Sequence, residues 1–219
     1  MQLIDLIPQR GIIVSCQADP DTPTNFVDMI VAFAESAQMG GACGLRLNSA
    51  EHVAAVRART SLPIIAIEKT MPPGDKVLIT GDVQQVAPLT DAGAEIIAFD
   101  ATERQRPSSL QTIVDAIHEQ GALALADIRS ADDIERAVSL DVDAIAPTLS
   151  VWDLPEYVPD FALIETIRRE CDLPVIAEGN YWTPDDVKRG FDAGAYAVVI
   201  GSAITRPWRI TEYYVQQTR

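Results

Sequence analysis

The feature that most constrains this chain is a rhythm. Short, almost wholly apolar runs recur along it: 11-GIIVSCQ-17, 42-ACGLRL-47, 63-PIIAIE-68, 95-EIIAFD-100, 122-ALALAD-127, 143-DAIAPT-148, 174-PVIAE-178 and 196-YAVVIG-201. Amphipathic helical stretches separate them. A strand with one wet face alternates apolar and polar side chains; a strand apolar throughout is buried on both faces, as in a parallel sheet covered by helices. Thr24 to Met39 places Phe26, Met29, Ile30, Phe33, Ala34 and Ala37 at helical spacing, and Ala50 to Arg59 follows a Ser49 cap. Ser109 to Gln120 carries Ile113 and Ile117 on one face, and Ser130 to Ser139 opens on a capping-box pattern. Thr183-Pro184-Asp185-Asp186 puts proline at the first helical position and acids in the first turn.

The unit repeats faintly in its own letters. GGA at 40–42, AGAE at 92–95 and AGAY at 193–196 each close a helix before a strand, and 61-SLPII-65 and 172-DLPVI-176 do so with proline. Eight such units in 219 residues, with no linker or composition break, predict one (β/α)8 TIM barrel domain over residues 1–219, of the phosphate-binding type. An open doubly wound sheet is the competing arrangement. Eight regular units are many for it, and no Gly-x-Gly-x-x-Gly follows the first strand.

Charge and cysteine content narrow the setting. A formal net charge of −15 repels a phosphate backbone and argues against nucleic acid as a partner. It does not bear on a small anion held by local donors. Cys16, Cys43 and Cys171 form no Cys-x-x-Cys pair, which predicts reduced thiols and a cytoplasmic protein. The opening MQLIDLIPQR is too short and acidic for a signal peptide, and no apolar run approaches membrane-spanning length.

In such a barrel, chemistry belongs at the C-terminal ends of the strands. The residues there are polar: Gln17, Arg46, Lys69, Asp100, Asp127, Thr148, Ser150, Glu178, Gly201 and Ser202. Glu178 ends a run where burial alone would place Ile or Val. Ion pairs such as Arg46–Asp127 or Lys69–Glu178 would explain one or two of these residues as structural; so many polar strand ends together point to a site. His52 and His118 fall in helices, outside the set. Asp100, Asp127 and Glu178 are suitable oxygen ligands for magnesium, but Lys69 and Arg46 bring competing charge, so neither metal nor cofactor is expected. Cys16 and Cys43 lie within strands and read as packed. Lys69 is left with two chemistries. It forms a Schiff base, or it acts as a neutral base opposite a protonated Glu178; both need pKa values moved toward neutrality. The segments Gly179-Asn180 and 201-GSAITRP-207, the latter with Arg206, read as a phosphate cradle, since glycine lets backbone N–H groups approach an anion.

The segments 14-VSCQA-18, 62-LPIIAIEK-69, 97-IAFDATERQRP-107, 125-LADI-128, 148-TLS-150, 176-IAEG-179 and 200-IGSAITRP-207 give the chain a resemblance, over nearly its whole length, to the N-acetylmannosamine-6-phosphate 2-epimerases of sialic acid catabolism. That resemblance implies a cofactor-free enzyme acting on a phosphorylated amino sugar. Lys69 and Glu178 would exchange the C2 proton. Gln17, Arg46, Asp127 and Ser150 would contact substrate. Arg206 and the loop amides of Gly179, Asn180, Gly201 and Ser202 would take the phosphate. The family commonly forms dimers, and 208-WRITEYYVQQ-217 offers aromatic surface for a second copy or for its own barrel. The chain departs from the family at Asn180, where arginine is frequent, at Ser202, at Tyr181 and Trp182, and along 151-VWDLPEY-157. Another phosphate-binding isomerase, a Schiff-base lyase, or a sugar-phosphate sensor without turnover are the alternatives.

Overall fold

The structure, a computed structural model, describes residues 2–219. Its strands are β1 (Gly11–Cys16), β2 (Gly44–Asn48), β3 (Ile64–Ile67), β4 (Lys69–Thr70), β5 (Leu78–Ile79), β6 (Ile96–Asp100), β7 (Leu123–Asp127), β8 (Ala144–Ala146), β9 (Ile176–Glu178) and β10 (Ala197–Ile200). Eight are parallel and run in the order β8-β7-β6-β3-β2-β1-β10-β9; β4 and β5 form a separate antiparallel ribbon. One parallel bridge, Ile145 to Val175, joins the two ends of the sheet, and the Ile145 N–H donates to the Pro174 carbonyl at 3.0 Å. The ring therefore closes, and the open doubly wound arrangement is excluded.

The helices are α1 (Leu3–Leu6), α2 (Val27–Met39), α3 (Ala50–Arg57), α4 (Val86–Asp91), α5 (Leu110–Glu119), α6 (Ile134–Ser139), α7 (Phe161–Glu170), α8 (Pro184–Asp192), α9 (Ser202–Thr205) and α10 (Pro207–Gln217). Capping side chains set several starts. Ser49 accepts from the His52 N–H, Asp160 from Leu163, and Thr183 and Asp186 close a reciprocal capping box. The box expected at Ser130 is present, but it opens a 3-10 turn over Ala131–Asp133, with α6 following. α2 starts at Val27 rather than Thr24, because Thr22 donates its hydroxyl to the Asp19 carbonyl at 2.7 Å and holds the preceding residues in a turn.

Alternation along each strand sorts two cores. Val14, Leu45, Leu47, Ile97, Phe99, Ala124 and Val198 point outward and pack under α2, α3, α5 and α7. Ile13, Ile65, Ile96, Leu123, Ile176 and Ala197 point inward and fill the barrel. Each of the larger side chains among them, Val, Leu, Ile or Phe, stabilises the fold by about 1.5–3 kcal/mol relative to exposure. Leu3 and Ile7 plug the bottom of the inner core. Gly44 leaves room for that plug, since a Cβ there would lie 2.9 Å from Ile7 Cδ1. At the other end α10 packs part of its aromatic face on its own barrel: Tyr213 stacks on Trp182 at 5.0 Å, and Tyr157 meets both rings edge-on. Among the described residues no helix is long and apolar enough to cross a membrane.

Candidate active site

The site follows from the inner core by counting in twos. Ile13 leads to Ser15 and Gln17, Ile65 and Ile67 to Lys69, Leu123 and Leu125 to Asp127, and Ile176 to Glu178. Glu178 thus has the parity of Ile176 but sits one layer higher, where the barrel opens into a cleft of about 320 Å³. That cleft is lined by Gln17, Arg46, Lys69, Glu178, Gly179, Asn180, Gly201, Ser202 and Arg206, which brings most of the expected set together.

Arg46 is the hub. It is 1% exposed, and its guanidinium meets Asp127 through two hydrogen bonds of 3.2 and 2.5 Å. Its Nη1 also lies 2.5 Å from Glu178 Oε2. Thr148 donates its hydroxyl to Asp127 at 2.5 Å, so the aspartate is held from two sides. Burial opposes the Arg46 charge, but Asp127 and Glu178 outweigh it and keep the guanidinium firmly protonated. Of the two ion pairs expected from the sequence, Arg46–Asp127 forms and Lys69–Glu178 does not. Arg46 reaches both carboxylates, and among the described residues Lys69 has no ion pair.

That division leaves Lys69 and Glu178 perturbed in opposite senses. Burial lowers the Lys69 ammonium to about 8; the charges of Arg206 and Arg46 add to the drop, and Glu178 and Asp19 oppose it. Burial pushes the Glu178 carboxyl up, Arg46 opposes the rise, and Asp127 adds to it. An amine whose hold on its proton is weakened, in one cleft with a carboxyl whose hold is strengthened, is the pairing proton transfer needs. Gln17 Oε1 and Arg46 Nε are buried without a hydrogen-bond partner. Each such group costs about 1–3 kcal/mol, and two beside one cleft mark where a polar ligand would be bound.

At the far side of the cleft the backbone is shaped by glycine. Gly179 has φ 108°, and a Cβ there would fall 2.4 Å from Val151 Cγ1. A Cβ on Gly201 would crowd the Ser15 Cβ at 3.3 Å. Arg206 donates to the Ser202 hydroxyl at 3.1 Å and lies 3.3 Å from Asp19. The Asn180 side chain reaches away to the Pro155 and Val158 carbonyls, so it braces the rim.

Ser150 is not brought into the cleft. Its hydroxyl is buried and donates to the Pro147 carbonyl at 2.9 Å, closing its own turn, while Thr148 of the same segment meets the Asp127 network. Asp100 also stands apart from the cleft lining and binds Thr102 and the two arginines that follow. The Cys16 thiol is buried and pushed up to about 12 by that burial. His52 and His118 bond the Asn48 carbonyl and Asp143 from α3 and α5. Sequence reasoning missed Val77, Ile79 and Arg209, all of which line the cleft, as does Trp152 of the departing segment 151–157. Arg209 lies three residues after Arg206, one helical turn on, and that spacing was the available signal.

A closed (β/α)8 barrel with an acid–base cleft over the C-terminal ends of its strands defines the class: a barrel of the enzyme type, built to move a proton on a small polar ligand. The family described as "Putative N-acetylmannosamine-6-phosphate epimerase" matches residues 30–219. A "Putative N-acetylmannosamine-6-phosphate 2-epimerase" of Clostridioides difficile is 37% identical, covering 98% of each chain. A protein of the same description from Escherichia coli is 39% identical over 93% of this chain and 90% of its own length. The solved structure of the N-acetylmannosamine-6-phosphate 2-epimerase from Clostridium perfringens superposes with a TM-score of 0.92 at 35% identity, covering 99% of this chain and 96% of that one. The chain belongs to the N-acetylmannosamine-6-phosphate 2-epimerase family.

Proposed function

We propose that this protein interconverts N-acetylmannosamine 6-phosphate and N-acetylglucosamine 6-phosphate by proton exchange at C2, without a metal or cofactor. The observation that carries the proposal is the opposed perturbation of Lys69 and Glu178 around one arginine. In the open-chain sugar the C2 hydrogen is acidic because it lies next to the C1 carbonyl. Neutral Lys69 takes that proton, the C2–H electron pair moves into a C1–C2 double bond, and negative charge gathers on O1. The unpartnered Arg46 Nε is the donor for that charge, while Gln17 Oε1 is free to accept from a sugar hydroxyl. Protonated Glu178 then returns a proton to the opposite face of C2. Lys69 ends protonated and Glu178 ionised, which is the starting state for the reverse direction; exchange with solvent resets the pair. Asp127 holds Arg46 in place, and Arg206 with the Gly179, Asn180, Gly201 and Ser202 amides takes the phosphate.

Proton NMR of N-acetylmannosamine 6-phosphate in D2O without added metal tests this. Loss of the C2 proton with appearance of the gluco epimer is expected. A folded protein that gives neither exchange nor epimer rejects the proposal. The lowered Lys69 value also suits an imine; borohydride trapping of substrate on Lys69 would establish that second reading in place of the first.

A further inference from the structure

The Asp-Ala-Thr-Glu-Arg stretch, residues 100–104, takes no part in the chemistry above, yet it ties down the ribbon that carries Lys69 from the solvent side. We infer that Arg104 is the positioning residue of Lys69, clamping that ribbon to the buried carboxylate of Asp100. The inference rests on Lys69 being the base of the proposed reaction.

β4 and β5 pair through only two residue pairs, Lys69 with Ile79 and Thr70 with Leu78. A ribbon so short does not hold itself together in water. From the barrel side it is tied by the Lys69 N–H donating to Asn48 Oδ1 at 2.9 Å and the Thr80 N–H donating to the Glu68 carbonyl at 2.8 Å. From the solvent side Arg104 is the tie. Its Nη1 donates to the Val77 carbonyl at 3.1 Å, its Nη2 to the Lys76 carbonyl at 2.6 Å, and Nη2 lies 3.3 Å from Asp75. The same guanidinium lies 3.3 Å from Asp100 Oδ2. Asp100 is fully buried at the end of β6, and its other oxygen accepts from the Thr102 N–H at 3.0 Å and the Thr102 hydroxyl at 2.6 Å. Arg106 closes the turn by donating to the Asp100 and Thr102 carbonyls.

The chain of contacts therefore runs from a barrel strand through Asp100 and Arg104 to residues 75–77, into β5, and across the ladder to Lys69. Arg104 does not line the cleft; Val77 and Ile79, which it steadies, do. A flat fork reaching two carbonyls and two carboxylates is arginine chemistry, and a lysine point charge reproduces only part of it. The lowered Lys69 value needs burial, so a ribbon free to lift would return the lysine to solvent as well as misplace it.

The test compares wild type with Arg104→Gln and Arg104→Lys by pH–rate profile, by amide hydrogen exchange over residues 68–80, and by thermal unfolding. For Arg104→Gln we expect kcat lower by about tenfold or more, with KM within about threefold of wild type. The limb of the profile set by Lys69 should move up from about 8 toward the ordinary lysine value. The charges that act on it directly, Arg206, Arg46, Glu178 and Asp19, are unchanged in the variant. Exchange should quicken in 68–80 and nowhere else, and Arg104→Lys should fall between. An unmoved limb, or exchange unchanged in 68–80, overturns the inference. So does unfolding of both variants, which would make Arg104 a determinant of the fold alone. Inactive wild type would instead bring down the proposed reaction, while the exchange result would still report on the clamp.

Discussion

The lower and upper parts of the barrel interior come from the same strands and the same alternation, yet hold opposite chemistry. Below, Ile13, Ile65, Ile96, Leu123 and Ile176 meet each other and the Leu3–Ile7 plug. Above, toward the C-terminal ends of the barrel strands, Arg46 and Asp127 are packed as deeply, and Glu178 is partly exposed to the cleft. Burying ions costs several kcal/mol each, and their mutual attraction returns that only with good geometry. The lower layers therefore stabilise the fold, and the upper layer draws on that stability to keep charges at unusual protonation. A fold that closed its core at both ends with isoleucine would be more stable and would have no site.

The contrast breaks most sharply at the acid–base pair. Lys69→Ala and Glu178→Gln should each lower epimerisation by about 10²- to 10⁴-fold with the fold intact, measured by NMR exchange and circular dichroism. Asp127→Ala should lose both activity and about 3–5 kcal/mol by urea denaturation, because it leaves the Arg46 charge buried with half its pairing. Ile65→Ala in the lower layer should cost about 2–5 kcal/mol and leave the shape of the pH profile untouched. That profile should be bell-shaped, since the pair must hold one proton between them. Below both values the pair holds two protons and has no base; above both it has no acid. The limb Lys69 sets should lie near 8, well under lysine's usual value. Smallest is the effect of Lys69→Met on stability. Lys69 has a depressed value in the folded state, so folding carries a penalty below about 8 that fades as pH rises toward the unfolded value. Lys69→Met should therefore raise the melting temperature at pH 7 and have less effect at pH 10; no gain at pH 7 would mean the amine is not held against its preference.

What could be read from the letters tracks how much each element depends on local pattern. The barrel strands were legible because burial on both faces writes an unbroken apolar run, and Thr183-Pro184-Asp185-Asp186 was legible because capping is local. Glu178 and Lys69 stood out as charges ending such runs. β4 and β5 were not legible: two residues carry no period, and the intervening 72-PPGD-75 signals only a turn. The pairing of Glu178 with Arg46 rather than Lys69 depends on how far one guanidinium reaches across the barrel, which spacing does not encode. Ser150 was misjudged for the opposite reason. Its hydroxyl is claimed by a carbonyl three residues back, a local competition that serine commonly resolves in favour of its own turn.

The rim gives the molecule an optical property. The chain has three tryptophans. Trp152 and Trp182 line the cleft, and Trp208 lies beside Arg209, which lines it too. None is fully buried in either core, although Trp152 packs against the top of the inner one. Intrinsic emission therefore reports on the mouth rather than on the barrel beneath it. A sugar phosphate should change it on binding without any label, and a melt followed by fluorescence will record the loosening of the rim, to be set against the far-ultraviolet signal of the strands and helices that carry it.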